Sequence, residues 1–198
     1  MAIKFHYNKS TVQQFQKQLT IREKALPILK NKETALRQEE KKAKSQLRVL
    51  RVERSSLEDR LIAFQPFWCE FPDIVTLEDP GVYQKKIVGV NLPEIGKVSF
   101  KIADISWWNY PAWLPAGIDL MQRVITLDLQ IKFKTLQIDL LDAARKRTTQ
   151  KVNLYEKVQI PTYEDAILKI KRFLEDKENI SKAAMKIVKN RTKRREAV

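Results

Sequence analysis

The chain has 198 residues, 31% of them charged, with only four glycines and a formal charge of +14. That composition suits long helices better than a loop-connected globule, and the charge fits nucleic acid, an anionic membrane or an acidic protein surface without choosing among them. Cys69 is the only cysteine and His6 the only histidine, which excludes an internal disulfide, a Cys/His zinc site and a His-based triad built within this chain. No run of about 18 apolar residues is present, and the opening MAIKFHYNKS lacks the apolar core of a signal peptide, so a soluble, unexported, cytosolic protein is expected. With Cys69 the single nucleophile candidate, Glu70 and Asp73 beside it and no base of suitable pKa, catalysis is not expected, and neither is a cofactor.

Residues 1 to 9 read as a polar lead-in, with Ser10 or Thr11 available to cap a helix. From Phe15, alternate steps of four and three land on Phe15, Leu19, Arg22, Leu26, Leu29, Glu33, Leu36, Glu40, Ala43, Leu47, Leu50, Arg54, Leu57, Leu61 and Phe64; eleven of these fifteen are apolar. A narrow apolar seam held over so many heptads is a coiled-coil signature. It predicts a helix from about Ser10 to Gln65, roughly 80 Å long, stopped by Pro66. Pro27 lies inside it and reads as a kink, because the heptads run unbroken across it; the alternative is an end of one helix and the start of another. The polar seam positions Arg22, Glu33, Glu40 and Arg54 either fix register or face solvent.

Between Pro66 and Gly117 the character changes. Six prolines, all four glycines and all four tryptophans fall here. Val88, Val90 and Leu92 alternate with Gly89 and Asn91, the Pro93–Gly96 stretch intervenes, and Val98, Phe100 and Ile102 alternate with Ser99 and Lys101. This pattern predicts a β-hairpin with a four-residue turn and one apolar face, which must lie on the helices or on a neighbouring protein. Trp107, Trp108, Tyr110 and Trp113 follow, either as a packed knot closing this head or as a partner-binding patch. Val88, Val90, Phe100, Trp107, Trp108 and Trp113 are the candidate partner contacts of the head.

Helical periodicity resumes near Ile118 and runs without glycine to about Asn190, roughly 110 Å. Leu120, Val124, Leu127, Ile131, Ile138 and Leu141 form a first seam. After a polar, basic middle from Ala144 to Lys151, a shifted seam appears at Ile160, Tyr163, Ile167, Ile170 and Leu174, a heptad discontinuity. Pro161 sits inside this helix as Pro27 sits inside the first. The fold class is thus all-α dominated: a long antiparallel two-helix coiled coil with a small β-hairpin insertion at the turn, divided as 1–65, 66–117 and 118–198. Folding the chain near residue 91 sets positions whose numbers sum to about 182 side by side. Pro27 and Pro161 then fall at similar height and predict a bend, while everything beyond about residue 172 protrudes as a single helix. Ile180, Ala183, Ala184, Ile187 and Val188 keep one side of that end apolar, and seven basic residues and no acid lie between Lys182 and Arg195.

The segment VNLYEKVQIPTYEDAILKIKRFLEDKE resembles the second long helix of the D subunit of V-type and A-type rotary ATPases, on Val152, Asn153, Leu154, Glu156, Ile160, Pro161, Glu164, Ile167, Ile170 and Leu174. KSTVQQFQKQLTIREKALPILKNKETALRQE is similar to that family's first helix, and IVGVNLP with Pro111–Trp113 to the insertion of its bacterial branch. Tyr155 interrupts the family's usual Asn-Ala-Leu-Glu run, and the loop is unusually rich in tryptophan. The resemblance implies a central rotor shaft that binds no nucleotide and is not itself catalytic. It would sit peripheral to the membrane, transmit torque between the catalytic hexamer and an ion-translocating ring, and engage the catalytic and non-catalytic hexamer subunits, the F subunit and a funnel-shaped membrane-proximal subunit. Neither nucleic-acid binding nor membrane insertion is implied.

On that reading Ile180, Met185, Ile187 and Val188 sit in the sleeve at the top of the hexamer, with Lys182, Lys186, Lys189 and Arg191 toward acidic or polar loops, and Pro27 and Pro161 set the bend. The charges beyond Arg191 are alternatively a frayed, solvated tail. A rival from another class, a nucleic-acid-binding coiled-coil arm, calls for an in-phase basic stripe beside exposed stacking aromatics.

Overall fold

The computed structural model describes residues 6–104 and 110–196, with side chains described as far as Thr192. Two long helical runs flank a small β insertion. The first run is α1, Lys9–Ser56, then α2, Glu58–Phe64, then a 3-10 turn, Gln65–Glu70; the insertion carries β1, Val75–Leu77, β2, Val82–Ile87, β3, Val90–Ile95, and β4, Phe100–Ile102. The second run is α3, Leu114–Leu154, a π-helical segment, Tyr155–Gln159, and α4, Ile160–Glu196. By contacts the chain separates into two compact units, one of Lys32–Arg147 and the other of the described residues up to Asn31 with those from Thr148.

In the Lys32–Arg147 unit, the α1 seam residues Leu36, Ala43 and Leu47 are buried with Ile138 and Leu141 of α3 and Leu92 of β3, and Ile87, Val88, Val90, Ile131 and Ala144 pack around them. Leu36 is 0% exposed and Leu92 3%. Each such side chain contributes about 1.5–3 kcal/mol of burial, so the ribbon supplies a third wall to a groove that two helices alone leave open. The hydrophobic face of the insertion lies on the helices. A second cluster of Ile74, Leu114 and Ile118, with Phe71, Val75, Tyr110 and Trp113 packed against it, ties the start of α3 to the segment after the 3-10 turn.

The predicted hairpin is one strand out of place. Its observed strands are β2 and β3, with Ile87 opposite Val90 and Val82 opposite Ile95. Val88-Gly89, read from the sequence as strand, is the two-residue turn, with φ of 50° and 78°. Both values positive make a type I′ connection, whose twist suits a tight hairpin. A β-branched residue there costs on the order of 1–3 kcal/mol, and Val88 offsets it by packing on the helical core. Pro93, read as turn, lies inside β3 opposite Gln84. It falls at a pair whose N–H groups point away from the partner strand, the position where a two-stranded ribbon tolerates proline. Phe100 and Ile102 are in a strand as expected, but β4 pairs with β1, Leu77 opposite Phe100 and Val75 opposite Ile102. Gly96 is required where the chain leaves β3, because a Cβ there would meet the Pro80 carbonyl oxygen at 2.2 Å.

Helix ends also differ from expectation. The first cap is Asn8, whose Oδ1 accepts from the Thr11 N–H at 2.7 Å, so α1 starts before Ser10 and Thr11. The helix breaks at Leu57, not Gln65. The Ser55 and Ser56 hydroxyls donate back to the Val52 and Glu53 carbonyls and the Leu57 N–H turns to the Arg54 carbonyl, which tightens and ends an α-helix. Pro66 does not stop the chain from coiling; it opens the 3-10 turn, where a missing N–H costs nothing. α1 continues through Pro27.

In the other unit, Val12 of α1 is buried with Ile167 and Ile170 of α4, flanked by Phe15, Leu19 and Leu174. Phe15 meets Tyr163 edge-on at 5.3 Å and Tyr7 meets Phe173 at 4.7 Å. From Glu175 to Thr192 every described residue is exposed.

Candidate functional site

The polar seam positions Arg22, Glu40 and Arg54 of α1 reach the second helical run. Arg22 Nε donates to Gln159 Oε1 at 2.6 Å, Arg145 Nε to Glu40 Oε2 at 2.7 Å, and Arg54 Nε to Asp128 Oδ1 at 2.9 Å. Lys30 and Glu156 add a fourth rung at 2.7 Å. Within each unit a step forward on α1 is a step back on its partner, so the pairing is antiparallel. Glu33 pairs with Arg37 at 2.9 Å on its own helix.

The most enclosed rung is Glu40, whose side chain is 8% exposed. The Lys44 ammonium at 2.5 Å, first, and the Arg145 guanidinium hold its carboxyl below the ordinary range, against burial that pushes it up. Arg145 also donates to Asp142 at 2.7 Å, and Lys146 pairs with the same carboxylate; those two hydrogen bonds lower the Asp142 pKa, and Asp142 with Glu40 raises that of Arg145. Gln137, also buried, donates to the Pro93 carbonyl at 2.6 Å and so pins the ribbon to α3. Among the described residues no buried side-chain nitrogen or oxygen lacks a partner. Asp128 and Gln137 carry no mark in the sequence that singles them out; heptad numbering continued from Leu141 would have found Arg145 and Gln159.

Pro161 is the second residue of α4, directly after the π-helical segment. A proline ring presses on the carbonyl four residues back, and the wider π turn accommodates it. The Thr162 hydroxyl donates to the Val158 carbonyl. Arg22 stacks over Tyr163 at 4.7 Å and Tyr155 at 5.9 Å, while its Nη1 donates to the carbonyl and side-chain oxygens of Gln18.

At the free end of α4, Ile180 is 71% exposed, and Met185, Ile187 and Val188 are exposed with it. Apolar residues at Ile180, Ala183, Ala184, Ile187 and Val188 share one stripe of the helix. Lys182, Lys186 and Lys189 form a basic stripe on the opposite face of the helix, all exposed. Lys182 pairs with Glu178 at 2.9 Å and lowers that carboxyl's pKa; Arg191 is exposed too.

In the head, Trp107 and Trp108 lie outside the described residues. Trp113 stacks against Phe67 at 5.2 Å and Phe71 at 6.3 Å, and Trp68 joins Phe71 at 5.5 Å and Phe64 at 6.1 Å. These rings pack on one another within the head. Val88 and Val90 are half-buried against the helical core, and Phe100 is half-buried in β4. Cys69 is a free, exposed thiol. No helix among the described residues is long and apolar enough to cross a membrane.

A family model for the D subunit of ATP synthase matches residues 11–190. The chain belongs to that family. It is 28% identical over 190 residues to the V-type ATP synthase D subunit of Borreliella burgdorferi, an alignment covering 94% of each chain. It is also 27% identical over 107 residues to the V-type ATP synthase D subunit of Chlamydia muridarum, covering 54% of this chain and 53% of that protein. The family match takes in the cross-helix rungs, the π segment and the exposed α4 end as far as Asn190.

Proposed function

We propose that this chain is the central-stalk rotor subunit of a V/A-type rotary ATPase. It binds no nucleotide and transmits torque between the catalytic hexamer and the membrane ring. The observation that carries the reading is the exposed α4 end, with an apolar stripe on one face and lysines on the opposite face and nothing among the described residues to cover it. An exposed apolar patch of that kind marks a docking surface. The rungs support the mechanical half: polar pairs at fixed heights oppose sliding of one helix along the other, so a twist applied at one end is passed on. To bias chemically identical sites into different states, a shaft must contact each differently, and a helix end that is apolar on one face and basic on the opposite face does so as it turns.

In this account Ile180, Met185, Ile187 and Val188 seat in the hexamer and Lys182, Lys186, Lys189 and Arg191 face its acidic or polar loops. Pro27 and Pro161 bend the shaft. Val88, Val90, Phe100, Trp107, Trp108 and Trp113 are the head contacts, with the F subunit and the membrane-proximal funnel subunit below the hexamer. The assembly is cytoplasmic and peripheral to the membrane. Truncation after Asn179 tests this: thermal stability of the remainder should hold within about 0.5 kcal/mol, while co-purification with the catalytic hexamer weakens at least tenfold. Undiminished hexamer binding by the truncated chain would reject the seating of the tip.

One observation favours the rival arm. Arg37, Lys41, Lys44, Arg48 and Arg51 are exposed at heptad spacing on α1, and among the described residues Lys41, Arg48 and Arg51 have no carboxylate within ion-pair distance. No exposed aromatic accompanies them on α1. Micromolar binding to duplex or single strand with a steep salt slope would support the arm; its absence leaves the stripe as a solvated face.

A further inference from the structure

In the sequence the heptads of the first helical run continue in one phase from Phe15 to Phe64, whereas those of the second run do not. Continuing α3 from Leu141 by the same steps gives Arg145, Thr148, Val152, Tyr155 and Gln159, and the seam then restarts at Ile160, Tyr163, Ile167, Ile170 and Leu174, one residue late. Arg145 bonds to α1 and Val152 is buried, so the first phase is kept up to the π segment, and Gln159 at the segment's end still reaches Arg22. Ile167 and Ile170 are buried against Val12, so the second phase is kept after it. The change of phase falls on Tyr155–Gln159. A π turn holds one residue more than an α turn, and without it the residues beyond would be rotated by about 100° about the helix axis.

We propose that Tyr155–Gln159 is a register joint, a single skip residue taken up in one π turn, and that Arg22 is the residue that latches it there. Among the described residues Arg22 is the α1 side chain that grips both edges of the segment. It bonds Gln159 at its end, covers Tyr155 at its start and Tyr163 one turn on, and is itself steadied by Gln18. Lys30 holds Glu156 within the segment. Tyr155 is one of the positions where this chain departs from the run it resembles, and it is the one that supplies a ring to the latch. The inference goes beyond the stalk reading and does not depend on it. On that reading the joint sets which way the α4 stripes face.

The test is to remove the surplus. In the full-length chain, deletion of Val158 together with Pro161→Ala makes the heptads continuous from Leu120 to Leu174. Pro161 is changed because a proline left in plain α-helix carries its own cost. Far-ultraviolet circular dichroism should show unchanged or higher helicity, with a cooperative melt within about 5 °C of the parent's. Deletion of Asp139, exposed in the straight part of α3, is the control. It rotates Leu141 and Arg145 off α1 and should lower the melting temperature by more than about 10 °C. If the Val158 deletion with Pro161→Ala is as damaging as the control, the joint is not a skip residue. For the latch, Arg22→Met keeps length and loses the charge and bonds. Amide exchange of residues 155–160 should speed up at least tenfold while that of residues 36–47 stays as in the parent. Unchanged exchange in the π segment would overturn the role of Arg22.

Discussion

The two units solve one problem, a charged side chain on an apolar seam, in different ways. At Glu40 the ribbon closes a third side, so the carboxylate is held by Lys44 and Arg145 and has little water to fall back on. At Arg22 no described strand covers the helices, and a half-exposed guanidinium rests on two tyrosine rings and an amide. An enclosed charge needs an opposite charge, while a partly hydrated one is satisfied by ring faces and neutral acceptors. The enclosed layer should therefore be stiff and intolerant of change, and the open one adaptable, which is where the skip residue is found.

The sharpest break of this contrast is Leu36→Ala. Leu36 is 0% exposed beneath the ribbon, and the cavity should cost about 2–5 kcal/mol, read by denaturant unfolding of the full chain; Ile21→Ala, at an exposed α1 position of the other unit, should cost less than about 0.5 kcal/mol.

Next in size is Glu40→Ala, expected to destabilise by about 1–3 kcal/mol because Arg145 loses a charged acceptor where water is scarce. Arg22→Ala should cost about 1 kcal/mol, in the range of one cation–π contact and one exposed hydrogen bond. Equal costs would erase the distinction between the layers.

The same carboxylate sets a pH response. Its folded pKa is depressed below the ordinary value of 4.5, so its contribution is present above that value and is lost as pH falls through the folded pKa. Acid titration of the melting temperature should be shallower below about pH 4.5 for Glu40→Gln than for the parent; parallel curves would show that Glu40 is not the acid-sensitive element.

The smallest of these effects belongs to the ribbon. Gly89→Ala places a Cβ on a residue at φ 78° and should cost about 1 kcal/mol, with loss of ribbon protection in hydrogen exchange ahead of the helices.

The hairpin shows where sequence reading fails. Val88, Val90 and Leu92 do alternate, but the alternation straddles a turn, and β2 is exposed along most of its length with Lys85 and Lys86 side by side in sequence, so it shows no apolar alternation to mark it as a strand. The turn signal was a Val-Gly, and valine is a poor indicator of positive φ. Only the packing of Val88 on the helical core makes that turn acceptable. The helix break at Ser55-Ser56 was likewise masked by heptads that continue through Leu57 and Leu61. The apolar and basic stripes of the α4 end were legible because they follow from helical spacing.

By itself the sequence determined two long amphipathic helices, their antiparallel pairing and the existence of a phase change in the second, since each depends on a periodicity repeated over many turns and no single local choice can undo it. The tertiary structure alone decided which strands pair, which polar seam residues meet across the helices and how the surplus residue is absorbed. Those outcomes turn on contacts between residues far apart in the chain, where differences of about 1–3 kcal/mol select one local geometry over another.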